Sequence, residues 1–393
     1  MIWFQLGREY KLSVAEILSV FPDGKTVFLN NDFLILDNIS KSDVLLKANN
    51  LWWTIKIVKI SEWDLKNNWI SNITDQALES EWKFKYWLSI FGEKKNLKNI
   101  LIQQKKELKL KSISSRFVNK DFKNLSSAQI IWEKLIDKKR DFNYIYSWNN
   151  VYFWISIWVQ DINSYSKRDY SKDRDMQVGM LPPKLCQIMI NISWAKNIYD
   201  PFVWLWTILI ESILIWNNEV YWSDLSEVMV EKSTNNINSF IKSSLFKNKE
   251  NLKINLIIEK LNSKFINESD ILKNKKIDSI VSEWYLWEVM TKKNISIDRI
   301  QKQKDSLLKI YEWFFSWLQK INYKWNLVIC FPFWDIKWKY FYFTEIYDVL
   351  NKYCNIELLF PNNYQIETTK SWSLLYKRDK QLVWREIFKL RIK

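Results

Sequence analysis

Histidine is absent from the chain. That excludes imidazole general-base catalysis and histidine-bearing metal sites, so any chemistry falls to carboxylates, hydroxyls, lysines, backbone groups or a bound cofactor. Only three cysteines are present; Cys186, Cys330 and Cys354 lie far apart and form no Cys-x-x-Cys pair. Neither a disulfide framework nor a zinc site is therefore expected, and no metal site is assigned. Long uncharged apolar runs are also missing, so no membrane span is expected. The opening MIWFQLGREYKLSVAEILSVF is broken by Arg8, Glu9 and Lys11. It does not read as a secretory signal, and a cytoplasmic protein is expected.

Glycine is the most informative shortage. Ordinary usage of about 7% would give roughly 28 glycines in a chain this long. The sequence has 4 glycines and 25 tryptophans, 29 in all. Tryptophan also stands where glycine punctuation belongs: Trp52-Trp53 in NNLWWTIK, Trp222 in VYWSDLS, Trp334 and Trp338 in FPFWDIKWK, Trp372 in SWSLLY. The pattern reads as glycine positions filled by tryptophan, the outcome when a UGA codon that the source organism reads as glycine is rendered as tryptophan. A truly tryptophan-rich protein is the alternative, and Trp3 is a candidate genuine tryptophan. Under the first reading several tryptophans should occupy turns with φ > 0, where bulky residues are rare.

What is abundant is positive charge. A formal net charge of +15 favours a polyanionic partner, nucleic acid before a membrane surface. The first part of the chain alternates short apolar strands with amphipathic helices, an α+β pattern of two small sheets. Strands are expected at Ile2–Leu6, Thr26–Leu29, Thr54–Ile60, Lys83–Phe91 and Ser114–Asn119, then a hairpin from Asn143–Ser147 and Val151–Val159. Helices are expected at Ser13–Phe21 with Ser13 as N-cap, at Ser42–Ala48, at Leu97–Lys111 and beyond a cap near Ser126. From Tyr165 a polar stretch leads into a helix ending near Ile192. Strands KNIYDPF, EVYWSD, KFINESD, DSIVSE and LVICFPF then alternate with helical spacers, which predicts βαβ crossovers and a doubly wound parallel sheet. IELLF and LLYKRDKQLVWREIFKL read as a closing antiparallel pair at a sheet edge.

Asp200–Ser212 reads DPFVWLWTILIES. An acid at a strand end, then Pro-Phe, then a tight turn into an apolar helix is how many nucleotide-cofactor sites begin. With glycine at Trp204 and Trp206 the string resembles the first motif of class I S-adenosylmethionine-dependent methyltransferases, in the form found in enzymes that methylate nucleic acids. The resemblance implies that Asp200 accepts from the methionine ammonium. It also places Pro201, Phe202, Trp204, Trp206 and Thr207 at the cofactor. An ordinary β-α turn is the other reading. Asp224 ends VYWSD, about 20 residues past the turn, where an acid hydrogen-bonds a ribose diol. An N-cap role for Asp224 or Ser226 is compatible with that. Asp270, ending KFINESD, is the analogous candidate near an adenine, or else a surface acid.

Methyltransferases acting on exocyclic amines carry Asp/Asn-Pro-Pro-Tyr after the fourth strand. There the acid accepts amine hydrogens and the aromatic stacks on the base, so catalysis is mainly positioning. In DSIVSEWYLWE, Glu283 and Tyr285 stand at the acid and aromatic positions. Glu283 is a methylene longer than aspartate, and position 284 lacks the first proline. The alternative is a strand-end glutamate with a packed tyrosine. Upstream, YSKRDYSKDRDMQVGMLPPKLCQIMIN resembles the signature Y-x-x-R-D…R-D-x-x-x-G-M-L-P-P-K-L-A-x-I-M. Its Arg168 and Arg174 suit bidentate phosphate pairing, with Lys184 and Arg116 as further RNA-binding candidates. A solvated charged loop is the alternative for the arginines.

Together these strings resemble the THUMP-containing tRNA guanine-N2-methyltransferase family over nearly the whole chain, most strongly at 165–212. FQLGREYKLSVAEILSVF resembles its opening, and SSRFVNKDFKNLSSAQIIWEKL resembles the latter part of a THUMP domain. The resemblance implies an α/β protein. It implies an N-terminal α+β ferredoxin-like/THUMP RNA-binding region over residues 1–160. It also implies a Rossmann-like class I methyltransferase sheet, mostly parallel with an antiparallel edge hairpin, over 161–393. It further implies S-adenosylmethionine as cofactor, tRNA as partner, and methyl transfer to the N2 amine of a guanine. Two rivals stay open: an rRNA or DNA amino-methyltransferase, and a non-catalytic RNA-binding protein retaining the fold. Oligomeric state is not indicated.

Overall fold

The computed structural model describes residues 1–59, 69–80, 83–91, 97–118, 121–147, 150–162, 181–202, 207–215, 219–242, 255–283, 290–291, 294–336, 339–360, 366–377 and 381–393. The chain forms two compact units, Met1–Tyr10 with Phe21–Ser166 and Lys11–Val20 with Lys167–Lys393.

In the first unit, β1 (Ile2–Leu6), β2 (Lys25–Leu29), β3 (Phe33–Asp37), β4 (Thr54–Lys59), β5 (Phe84–Phe91), β6 (Ser115–Phe117), β7 (Asp141–Ser147) and β8 (Asn150–Val159) form one sheet. Its order is β2-β3-β1-β4-β8-β7-β5-β6. The sequence suggests two small sheets, but β4 pairs with β8, Lys56 opposite Val159, and joins them. Helix α1 (Tyr10–Val20) falls in the second unit except for its first residue. Ser13, expected as its cap, lies inside it and is buried, because the apolar face runs back to buried Leu12.

Helices α2 (Lys41–Lys47), α3 (Trp69–Leu78), α4 (Leu97–Leu110) and α5 (Ser127–Trp132) complete the first unit. Lysine-rich α4 buries Leu101, Gln104 and Leu108, one stripe at helical spacing. Leu101 and Leu108 join the cluster containing Tyr86, Trp87 and Leu88 of β5. The expected cap at Ser126 is a full capping box. Its hydroxyl accepts from the Gln129 amide at 3.4 Å, and its own amide donates to Gln129 Oε1 at 3.0 Å. Between β4 and β7, the fully buried Lys56 ammonium sits 2.7 Å from Asp141 Oδ2 and donates to Asn143 Oδ1 at 3.1 Å.

The second unit contains β9 (Asn197–Asp200), β10 (Glu219–Asp224), β11 (Asn255–Lys260), β12 (Ser279–Glu283), β13 (Asn326–Ile336), β14 (Lys339–Phe341), β15 (Cys354–Glu357), β16 (Leu374–Tyr376) and β17 (Val383–Ile392). Its helices are α6 (Pro183–Ser193), α7 (Thr207–Ile215), α8 (Glu227–Ile241), α9 (Asp270–Asn274), α10 (Ile297–Lys320) and α11 (Ile346–Tyr353). The sheet runs β11-β10-β9-β12-β13-β17-β15, with β14 on β13 and β16 on β17. β11 through β13 in that order are parallel, while β17 is antiparallel to β13 and β15. This is the Rossmann-like, mostly parallel sheet with an antiparallel edge that the sequence suggests.

Long α10 buries Ile300, Leu307, Tyr311, Phe314, Phe315 and Leu318 on one face. Those side chains pack in the main cluster with Leu327, Ile329 and Phe331 of β13. KFINESD does not form the third strand. It makes a 3-10 turn (Ser263–Glu268) leading into α9, and β11 precedes it. Side chains that suit helix starts decide the outcome: Asn262 accepts from the Lys264 amide at 3.0 Å and Ser269 from the Leu272 amide at 3.1 Å.

Tryptophan placement is unusual in two ways. Trp194 and Trp372 have φ of 52° and 58°, and Trp194 is the left-handed residue ending α6. Trp222 and Trp334 lie within β10 and β13 rather than at turns and are 0% exposed. Among the described residues, the indole N–H groups of Trp3, Trp87, Trp222 and Trp334 are buried without a hydrogen-bond partner. Positions 204, 206 and 338 lie outside the described residues.

Candidate cofactor and catalytic site

In a parallel α/β sheet the crevice beyond the carboxyl ends of the strands, where strand order reverses, is the natural ligand site. Here the order reverses at β9, flanked by β10 on one side and β12 on the other. β9 ends at Asp200, β10 at Asp224 and β12 at Glu283. Parallel pairing therefore delivers three of the acids singled out in the sequence to one sheet edge.

Asp200 is 2% exposed. Its Oδ1 accepts from the Ser282 hydroxyl at 2.6 Å and from the Phe202 amide at 3.1 Å. Burial pushes its carboxyl up to about 7 against the pull of those two hydrogen bonds, and the charges of Asp224 and Glu283 add to the rise. Among the described residues no cation pairs with Asp200. A buried acid braced only by neutral donors is suited to an incoming ammonium group.

Asp224 is half-buried, and its Oδ1 accepts from the Ser226 amide at 2.8 Å. Ser226 is the N-cap of α8, accepting from the Met229 amide at 3.4 Å. The capping role thus belongs to Ser226, while Asp224 braces the turn before it. Asp270 is an exposed first residue of α9, not the end of a strand, because KFINESD folds as a helical turn. Its amide donates to Glu259 Oε2 at 3.0 Å, and it shares no hydrogen bond with Asp200, Asp224 or Glu283 among the described residues.

Pro201 is buried, and the half-buried Phe202 ring lies 5.8 Å from that of Phe314. Thr207 is buried at the first position of α7. Pro182 and Pro183 enter α6 as N-cap and first helical residue, with half-buried Lys184 next. Arg116 lies on β6 in the first unit, 48% exposed, with Nη2 3.9 Å from Glu133 Oε1. Trp204, Trp206, Tyr285, Arg168 and Arg174 lie outside the described residues.

Glu283 has a partner that sequence reasoning missed. Arg385 of β17, 4% exposed, places Nε and Nη2 each 2.8 Å from Glu283 Oε1. Burial pushes the Glu283 carboxyl up while the guanidinium pulls it back. Ser282, the hydroxyl donor to Asp200, was also missed. The sequence signal for Arg385 was the charged pair Arg385-Glu386, 4% and 0% exposed, interrupting the last apolar strand. Among the described residues no group of histidine, cysteine, aspartate and glutamate side chains could hold a metal ion, and no helix is long and apolar enough to cross a membrane.

No family model matches the chain, and no curated protein matches it. Among solved structures it is similar to TrmN from Thermus thermophilus, with 11% identity, all of both chains covered and a TM-score of 0.47. It is also similar to a possible methylase from Clostridium difficile 630, with 11% identity, 100% and 98% coverage and a TM-score of 0.45. A third is SMU.472 complexed with SAH, with 10% identity, 99% and 97% coverage and a TM-score of 0.39.

Proposed function

We propose that the second unit is an S-adenosylmethionine-dependent methyltransferase domain that modifies the exocyclic N2 amine of a guanine in tRNA. The first 160 residues act as its α+β, THUMP-like RNA-binding region. The single observation carrying the reading is the convergence of Asp200, Asp224 and Glu283 at the carboxyl edge where strand order reverses. When bound, the cofactor supplies an electrophilic methyl on a sulfonium centre. Asp200 would receive the ammonium of the methionine moiety, held in place by Ser282 and the Phe202 amide. Asp224 would accept from the ribose hydroxyls. Glu283 would accept a hydrogen of the amine and turn its lone pair toward the methyl, with Tyr285 stacking on the base. Transfer would break the sulfonium S–C bond, leaving a thioether, as the N–C bond forms, and the Glu283 carboxylate would take the proton that the amine gives up. The extruded base would be gripped in a structured RNA whose phosphates meet Arg116, Arg168, Arg174 and Lys184.

Unmodified tRNA incubated with methyl-labelled cofactor should yield labelled N2-methylguanosine by mass spectrometry of nucleosides. Label in rRNA or DNA alone would favour the rival amino-methyltransferase, and cofactor binding without transfer the non-catalytic one.

We also infer that most tryptophans occupy glycine positions of the functional protein. Left-handed Trp194 and Trp372 support this, as do the buried indoles of Trp87, Trp222 and Trp334, which have no partner among the described residues, each a loss of about 1–3 kcal/mol. Sequencing the coding DNA tests it: UGA at codons 204 and 206 is expected, and UGG there would refute it.

A further inference from the structure

Arg385 reaches the site from a distant part of the chain. On the sheet it lies opposite Pro332 of β13, and Glu283 lies opposite Cys330 of the same strand. Both side chains therefore rise on one face, two strand spacings apart, about 10 Å. Only two long side chains reaching toward each other close that gap. The guanidinium is fixed from behind as well: Nη1 donates to the Val383 carbonyl at 2.9 Å and to Gln381 Oε1 at 3.4 Å. Its other two nitrogens converge on a single Glu283 oxygen, Oε1. Among the described residues, Oε2 receives no hydrogen bond. An ion pair between buried Arg385 and half-buried Glu283 is a poor stability device, since desolvating the ions offsets much of their attraction. Its presence beside Asp200 at the sheet edge calls for a role in the chemistry.

We propose that Arg385 is a positioning residue for the methyl acceptor: it keeps Glu283 ionised, holds Oε1, and leaves Oε2 to receive the amine. This rests on the methyltransferase reading above and deepens it. A lone glutamate at this burial would tend to protonate, and a protonated carboxyl could neither draw a hydrogen from the amine nor take its proton. The longer glutamate, where the family motif has aspartate or asparagine, fits the same arrangement. Its extra methylene carries the carboxylate toward the Arg385 side chain.

The test compares the full chain with Arg385→Lys and Arg385→Met, each carrying glycine at positions 204 and 206. Calorimetric titration with S-adenosylhomocysteine first establishes that each variant retains the cofactor site. Methyl transfer to tRNA is then followed from pH 5.5 to 9. In Arg385→Met, losing the opposite charge should move the acid limb of kcat upward by about one to three pH units. KM for the cofactor should stay within twofold. Arg385→Lys should recover part of the shift, because it keeps the charge but not the fork. If Arg385→Met does not fold, the displaced acid limb in Arg385→Lys carries the test. Unchanged pH profiles in variants that bind the cofactor would overturn the proposal and leave the methyltransferase reading standing. No transfer by the unsubstituted Arg385 chain would overturn both.

Discussion

Replacing Asp200 with asparagine isolates the cost of placing an acid at the end of β9. Asparagine has the same shape, and its amide oxygen can still accept from Ser282 and the Phe202 amide. The wild-type carboxyl rises from its ordinary 3.8 to about 7 because burial disfavours the charged form. The sign follows from proton linkage. Between pH 4 and 7 the folded protein holds a proton there that the unfolded chain has released, so this group makes the fold progressively less stable as pH rises. Each pH unit in that window is worth about 1.4 kcal/mol, so the full penalty above pH 7 is at most about 4 kcal/mol. Asparagine carries no such penalty. Urea unfolding of both proteins should coincide near pH 4 and diverge with pH, the Asp200→Asn variant becoming the more stable one by pH 8. A stability difference that stays flat across this range, or that favours aspartate at high pH, would refute the reasoning.

Trp194→Gly and Trp372→Gly should each change stability by less than about 1 kcal/mol, because relief of left-handed strain, about 1–2 kcal/mol, offsets the lost partial burial. A loss of more than 2 kcal/mol in urea unfolding would show the indoles hold these turns. In the first unit, Lys56→Met strands buried Asp141 beside Asn143 and should cost about 3–5 kcal/mol, with Lys56→Met/Asp141→Asn costing less. A double variant no more stable than the single one would contradict that account. Affinity for tRNA should fall steeply between 50 and 200 mM salt, as phosphate contacts require. A flat salt dependence in filter binding would argue against the RNA-binding role.

Much of the candidate-site edge was legible because Asp200, Asp224 and Glu283 each end a strand whose apolar run announces it. EVYWSD became β10, and DSIVSE apart from its first residue became β12, ending on Asp224 and Glu283. KFINESD misled because its apolar spacing suits a strand, while Asn262 and Ser269 supply caps that start helical turns. The joining of two N-terminal sheets was hidden because the β4–β8 pairing is non-local. Arg385 was hidden for the same reason: its partner lies 102 residues earlier, and only the crossing over β13 brings them together. Ser282 gave no signal of its own, since a serine on a strand has many uses.

Binding of S-adenosylmethionine tests the central claim most directly. Calorimetric titration would use the chain with Trp204→Gly and Trp206→Gly, with and without Asp200→Asn. The glycine chain should bind, with affinity falling about tenfold per pH unit below about 7 as Asp200 takes up its proton, and Asp200→Asn should abolish that pH dependence along with most of the binding. Equal binding by both chains at every pH, or none by either, would contradict it.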